Sequence, residues 1–173
     1  MKLKEFIAKN GKTFTIHQSN EIPSNISISE IFISENIAFY GKERLKIDNC
    51  SLFSFNVLNC TNDIVAYGMI ACGDKAIVNG KWCWIGGSIV LPEYRNIGIH
   101  KELIKFRMDF AKNAGYHYIK MQSSPKNEVS NANAVKCGLI YYGQEVYYNA
   151  VEGLILQNGY YKVLHTERME EKN

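Results

Sequence analysis

The chain has 173 residues, of which 46% are hydrophobic and 21% are charged, and its formal net charge is +3. This length and composition are typical of one soluble globular domain, so we expect a single domain over residues 1–173. The net charge is too small to indicate nucleic-acid binding, which usually comes with a concentrated basic face.

Cysteine use and hydropathy narrow the class of protein further. Five cysteines, an odd number without a C-x-x-C pair, argue against a disulfide framework and against a zinc site. We therefore expect reduced thiols and no bound metal. No apolar run reaches the roughly 18 residues of a membrane span, and the amino terminus lacks the apolar core of a signal peptide. These features favour a cytoplasmic protein whose partners include neither nucleic acid nor a membrane.

The first half of the chain predicts strands and helices in succession. Residues 12–17 are β-prone and predict a first strand. Residues 27–40 begin with the S-x-x-E pattern of a capping box and then follow helical spacing, and residues 42–48 predict a second short helix. Residues 51–58 and 64–72 flank a polar turn, so they predict an antiparallel strand pair.

The centre of the chain predicts a βαβ unit. Asn79-Gly80 is a hairpin signal that joins residues 76–78 to 81–84, and the second strand continues through 85–90 with apolar residues on both faces. After a turn, residues 99–110 carry an apolar stripe at helical spacing, and Gly115 marks the end of that helix. Residues 116–123 predict the next strand, which should lie parallel to the first.

The last third of the chain predicts one more helix and two strands. Residues 128–137 predict a short helix that ends at Gly138. Residues 139–149 are rich in tyrosine and predict a strand, residues 152–159 predict a connection, and residues 160–165 predict the final strand.

The turn over residues 95–100 lies between a buried strand and a helix start. Backbone N–H groups at a helix start have no partner inside the helix, and the helix dipole favours negative charge there, so an anion can bind. The turn lacks the Gly-Lys-Ser/Thr of a Walker loop, and it lacks G-x-G-x-x-G. By its spacing alone it fits an unremarkable βα turn equally well.

The wider sequence around this turn carries a family resemblance. Residues 90–103, VLPEYRNIGIHKEL, closely resemble the acetyl-CoA motif of the GNAT N-acetyltransferase superfamily, V-x-P-x-[YF]-[RQ]-x-x-G-[IL]-[GA]-x-x-L. A second stretch, from Asn127 to Ser130 and then Gly138-Leu139, is similar to the family pattern N-x-x-[SA], seven residues, G-[FL]. The resemblance covers about residues 12–165 and is specific over 85–139.

The resemblance implies an α/β fold (α+β) with a mixed, mostly antiparallel sheet that splays at two parallel central strands and is flanked by helices. It also implies an acyltransferase that moves the acetyl group of acetyl-CoA to a primary amine by direct attack. In such an enzyme the turn cradles the pyrophosphate and the first central strand pairs with pantetheine. The implied cofactor contacts are Ser88, Ile89, Val90, Arg95, Asn96, Ile97, Gly98, Ile99, His100, Lys101 and Asn127.

The sequence departs from the family pattern at three positions. His100 stands where Gly or Ala is common, although its N–H can still donate. Ala134 stands where the family often has a tyrosine as general acid for the leaving thiolate, and Trp84 stands where it often has a carboxylate base. These last two departures motivate an alternative function, an acyl-CoA-binding or sensing module that has lost catalysis.

Other residues are candidates for the missing chemistry. Tyr141 and Tyr142 follow the helix predicted over residues 128–137 and are candidates for the general acid, while Ser123 and Ser124 are expected near the thioester. Cys137 is more simply explained as a packed thiol than as an acyl carrier. The acceptor, a small-molecule or peptide amine, is left open, as is a homodimer.

Overall fold

In the described part of the chain, eight strands form one sheet. The computed structural model describes residues 2–19, 50–73, 81–149 and 153–165. The strands are β1 (Lys2–Ile7), β2 (Thr13–Ser19), β3 (Cys50–Leu58), β4 (Ile64–Gly73), β5 (Trp82–Val90), β6 (Tyr118–Ser123), β7 (Ile140–Asn149) and β8 (Gly153–Val163). Their order in the sheet is β1-β2-β3-β4-β5-β6-β8-β7. Only the β5–β6 pair among them is parallel.

Two helices accompany these strands, α1 (Ile99–Asn113) and α2 (Glu128–Lys136). The apolar stripe of α1 packs on the sheet, where Phe106 meets Phe55 of β3 with ring centroids 5.0 Å apart. The helix ends at the predicted position, since Gly115 follows its C-cap with φ +78°. A short 3-10 turn, Pro92–Tyr94, connects β5 to the segment before α1.

The two parallel strands separate partway along their length. Their pairing runs from Trp82 with Tyr118 to Ile85 with Met121. Beyond that point β5 stays paired with β4, and β6 stays paired with β8. Because each strand keeps its outer partner, a gap opens between them, and the sheet is splayed there.

The structure confirms the predicted fold class and most of the predicted strands, and it corrects two details. The connection predicted over residues 152–159 is wrong, because β8 runs without interruption from Gly153 to Val163. The strand β1 was not predicted, although Asn10-Gly11, inside the turn to β2, is a hairpin signal. The helices predicted over 27–40 and 42–48, and the turn at Asn79-Gly80, lie outside the described residues.

Candidate active site

A cleft of about 1190 Å³ occupies the gap between β5 and β6. The second half of β5 forms one wall, and the end of β6 with the start of α2 forms the other. The turn before α1 and the first residues of that helix close one end. A long ligand therefore fits between the strands with one end at a helix N-terminus.

The helix end of the cleft is suited to an anion. Gly98 is the N-cap residue of α1 and has φ +96°, a conformation that favours glycine. The first N–H to reach a carbonyl across the helix start is that of Glu102, which donates to Gly98 O at 3.1 Å. Within the described residues the N–H groups of Ile99, His100 and Lys101 donate to no carbonyl. Three donors and the helix dipole thus meet at one point.

Four cationic side chains line the same cleft: Lys9, Arg95, Lys126 and Lys136. Sequence reasoning missed Lys9, whose N–H donates to Ile97 O at 3.0 Å and whose side chain passes over Gly98. Lys9 lies in the turn between β1 and β2, and the pairing of these strands brings it to the turn before α1. No local sequence signal therefore marks this lysine. Arg95 was predicted, and its Nε donates to Val90 O at 2.9 Å.

His100 is the second residue of α1 and also lines the cleft. Its Nδ1 accepts a hydrogen bond from Asn133 Nδ2 of α2 at 3.1 Å. Burial, and to a lesser extent the charge of Arg107, lower the pKa of His100 to about 4. The imidazole is therefore neutral near pH 7, and it does not add to the positive charge at the helix start.

The predicted cofactor contacts are largely brought together by the fold. Nine of the eleven residues line the cleft: Ser88, Ile89, Val90, Arg95, Asn96, Gly98, Ile99, His100 and Asn127. Ile97 packs against the core, and the Lys101 carbonyl accepts from the Cys137 thiol at 3.6 Å. Their contact with a cofactor stays a prediction for all eleven.

Asn127 has a structural role as well. It is the N-cap residue of α2, and its Oδ1 accepts from Ser130 N at 3.0 Å. Among the described residues this is the one hydrogen bond of its side chain, so the amide NH₂ group is available to a ligand in the cleft.

The positions of the usual acid and base are occupied by groups that cannot exchange protons at neutral pH. Ala134 is 0% exposed in α2, and the indole of Trp84 lies over the backbone of Gly86. Cys137 is buried, and burial raises the pKa of its thiol, which favours a packed thiol over an acyl carrier. Ser123 and Ser124 line the cleft at the end of β6.

The two candidate tyrosines lie on β7 and are not among the residues that line the cleft. Tyr141 is 48% exposed and packs on Tyr160, with ring centroids 5.6 Å apart. Tyr142 packs over Gly159 with Lys120 Nζ 5.2 Å from its ring centroid. Packing explains both positions, and their role as general acid stays a prediction.

A model of the acetyltransferase (GNAT) family matches residues 26–139, more than half of the 173-residue chain. The chain belongs to the GNAT acetyltransferase family. It is an acyltransferase. No curated protein sequence matches the chain.

Solved structures with the same fold come from several bacteria. Ribosomal-protein-S5-alanine acetyltransferase from Vibrio fischeri is 17% identical with a TM-score of 0.63, covering 90% of this chain and 95% of that one. A variant of spermidine N-acetyltransferase from Vibrio cholerae is 15% identical with a TM-score of 0.53, covering 80% and 74%. A GNAT-family acetyltransferase from Bacillus anthracis is 22% identical with a TM-score of 0.52, covering 64% and 66%. At these identities the likeness establishes the fold.

Two further properties concern the described residues alone. Neither helix there is long and apolar enough to cross a membrane. No group of three or more histidine, cysteine, aspartate or glutamate side chains in the described ranges is placed to hold a metal ion.

Proposed function

We propose that this GNAT acetyltransferase transfers the acetyl group of acetyl-CoA to a primary amine by direct attack of the amine nitrogen. The observation that carries the proposal is the separation of β5 from β6 after Ile85 and Met121, which forms a cleft ending at the N–H groups of α1. An extended cofactor with an anionic group at one end matches this shape and this polarity.

The residues present fit coenzyme A along the whole cleft. The N–H groups at the start of α1, with Lys9 and Arg95, would hold the pyrophosphate. The β5 backbone from Ser88 to Val90 and the Asn127 amide would hold the pantetheine arm. The bound thioester supplies the activated acyl group.

Catalysis without the usual acid and base would depend on orientation. Proton transfer by a positioned side chain contributes about 10²- to 10⁴-fold, whereas holding two reactants in the correct geometry contributes an effective molarity of about 10⁵ to 10⁸ M. An amine that enters unprotonated can attack without a dedicated base. Having Ala134 and Trp84 at the acid and base positions therefore removes the smaller contribution, and the larger contribution from orientation in the cleft is kept.

The acceptor is a primary amine of a small molecule or a peptide. Two of the similar structures are named for acceptors of different kinds, an alanine of a ribosomal protein and spermidine. Because their likeness to this chain is in the fold, neither acceptor is favoured here. We place the reaction in the cytoplasm.

A second candidate function is an acyl-CoA-binding or sensing module that does not catalyse transfer. Ala134 and Trp84, in the positions of the family acid and base, favour it. The two functions share the cofactor site and differ in turnover. A thiol-release assay over a panel of amines separates them, because cofactor binding with no release on any amine supports the module.

Cofactor binding itself is tested by thermal unfolding with acetyl-CoA. A ligand at one hundred times its Kd stabilises the folded state by about 2.7 kcal/mol, which raises Tm by roughly 5–10 °C for a chain of this size. ATP, which offers phosphates without pantetheine, is the matched control and should give a much smaller shift. Equal shifts with both ligands would indicate a phosphate site only, and no shift with acetyl-CoA would sink the proposal.

A further inference from the structure

Arg107 of α1 is 0% exposed, and its guanidinium reaches through the helix–sheet interface to the strand that forms the cleft wall. Its Nε donates to Leu103 O at 3.0 Å, and its Nη1 donates to Met69 O at 2.9 Å and to Gly86 O at 3.0 Å. A buried charge is costly unless it is hydrogen-bonded in this way, so the side chain is held in one position.

Two of the carbonyls that Arg107 binds, those of Met69 and Gly86, flank a β-bulge in β5. Tyr67 pairs with Ile89 and Met69 pairs with Gly86. The two paired residues are two positions apart on β4 but three positions apart on β5, so β5 contains one extra residue there. Gly87, inside the bulge, has φ +49°. Such a bulge re-aims the side chains that follow it, and the guanidinium fixes its geometry by bonding to both strands.

The bulge turns Ser88 toward Arg107. Ile85 and Val90 pack in the core cluster on the α1 side, whereas Ile89 packs in the cluster on the other face. Ser88 lies on the α1 side, and its Oγ accepts from Arg107 Nη2 at 2.7 Å. It lines the cleft three residues after Ile85, the last β5 residue that pairs with β6.

The bond to Arg107 determines what the Ser88 hydroxyl can do. A guanidinium only donates, so Ser88 Oγ must be the acceptor in this contact. Its own hydrogen is then left for a second acceptor, and charge assistance makes the O–H a stronger donor. A polarised hydroxyl therefore lines the cleft close to the point where β5 and β6 separate.

We propose that Ser88 is the hydrogen-bond donor to the acyl carbonyl oxygen of the bound thioester, and that Arg107 is the positioning residue that aims and polarises it. The proposal rests on the proposed function, because the anion site at α1 places the thioester end of the cofactor near Ser88. Donors aimed at an oxygen that gains negative charge during acyl transfer are among the largest contributors to catalysis.

Ser88 keeps its proton through the transfer. Attack by the amine forms the C–N bond and moves negative charge onto the carbonyl oxygen, to which Ser88 donates. The C–S bond then breaks, its electron pair leaves with sulfur, and the proton lost by the amine ends on that sulfur through solvent. Arg107 stays charged and bonded to Ser88 throughout, so neither residue has to be returned to its starting state after a turnover.

Three variants test the proposed roles of Ser88 and Arg107. Ser88→Ala removes the donor, and we expect kcat to fall by about 10²-fold with KM for acetyl-CoA nearly unchanged. Ser88→Thr keeps a hydroxyl and should recover most of the rate. Arg107→Lys keeps the charge but loses the forked geometry, so we expect an intermediate loss in kcat. Ser54→Ala is the matched control, since Ser54 is a buried serine on β3 that bonds Tyr67 and does not line the cleft.

A second measurement does not need turnover. The infrared carbonyl stretch of bound [1-¹³C]acetyl-CoA should lie at lower frequency in the wild type, Ser88→Thr and Ser54→Ala than in Ser88→Ala. An unchanged stretch in Ser88→Ala overturns the role of Ser88 while leaving the proposed function intact. Failure of every variant and the wild type to bind acetyl-CoA overturns both. If the wild type binds acetyl-CoA but acetylates no amine, the carbonyl stretch alone decides whether Ser88 donates to the acyl oxygen.

Discussion

At the scale of single residues, His100 makes the stability of the protein depend on pH. Its pKa is about 4 in the folded state against an ordinary value of 6.5, chiefly because of burial. Between these values the unfolded chain takes up a proton that the folded chain refuses. Folding stability should therefore fall as pH drops from about 6.5 towards 4, by at most about 1.4 kcal/mol per pH unit from this residue.

Urea unfolding between pH 7.5 and 4.5 measures this dependence. His100→Gln should flatten the curve over that window, because glutamine does not titrate. His165→Gln is the control, since His165 bonds the Lys112 carbonyl at the far end of α1 and lies outside the cleft. A wild-type slope retained in His100→Gln would show that other groups set the pH dependence.

Gly98 gives a second prediction at this scale. A Cβ at Gly98 would have room, since its nearest neighbour is Lys9 Cγ at 3.8 Å. The loss of folding stability in Gly98→Ala therefore comes from the φ of +96°, which disfavours a residue with a side chain. That penalty is about 1–2 kcal/mol, and movement of the turn to relieve it should weaken acetyl-CoA binding. Gly115→Ala, at φ +78° after the other end of α1, should lose similar stability and keep its affinity. Equal affinities in both variants would contradict the role of the turn.

At the scale of secondary-structure elements, Asn127 both starts α2 and faces the cleft. Asn127→Ala removes the cap, which should cost about 1 kcal/mol of folding stability, and it should also weaken cofactor binding. Asn127→Ser restores a capping oxygen but not the amide NH₂, so it should recover stability without recovering affinity. Chemical denaturation and calorimetric titration with acetyl-CoA measure the two effects. Recovery of affinity in the serine variant would assign Asn127 a structural role only.

At the scale of the whole molecule, thiol exposure reports on the core of the sheet. Cys60 is exposed, Cys137 is buried near the end of the short helix α2, and Cys72 and Cys83 are 0% exposed on the paired central strands β4 and β5. Of these four thiols, iodoacetamide should label Cys60 first, then Cys137 by local opening, and Cys72 and Cys83 only through global unfolding. Cys72 and Cys83 should be labelled at least about 10³-fold more slowly than Cys60.

Mass spectrometry of peptides from timed labelling checks this order. The same reaction in 6 M guanidinium chloride is the control, and all the thiols should then react at similar rates. Fast labelling of Cys72 in the native protein would contradict a sheet whose centre is β4 and β5.

The sequence alone determined the parts of the site that depend on local conformation. Pro92, Gly98 and the apolar stripe of α1 fix a strand, turn and helix over residues 82–113, and Asn127 starts the next helix. Backbone preference and helical spacing act between near neighbours, so their outcome can be read from the residues in order. The strand, the turn and the helix starts that line the cleft were predictable for that reason, and cofactor binding there stays a prediction.

Only the tertiary structure decided which distant residues join this site. Lys9 reaches the turn because β1 pairs with β2, and Arg107 reaches Ser88 because α1 crosses the β5 bulge. On sequence alone, Arg107 was simply one residue of an amphipathic helix. Contacts of this kind depend on the registers of strands and on the packing of a helix far away in the chain. No local preference encodes them, because burial of the whole core selects the one arrangement in which they meet.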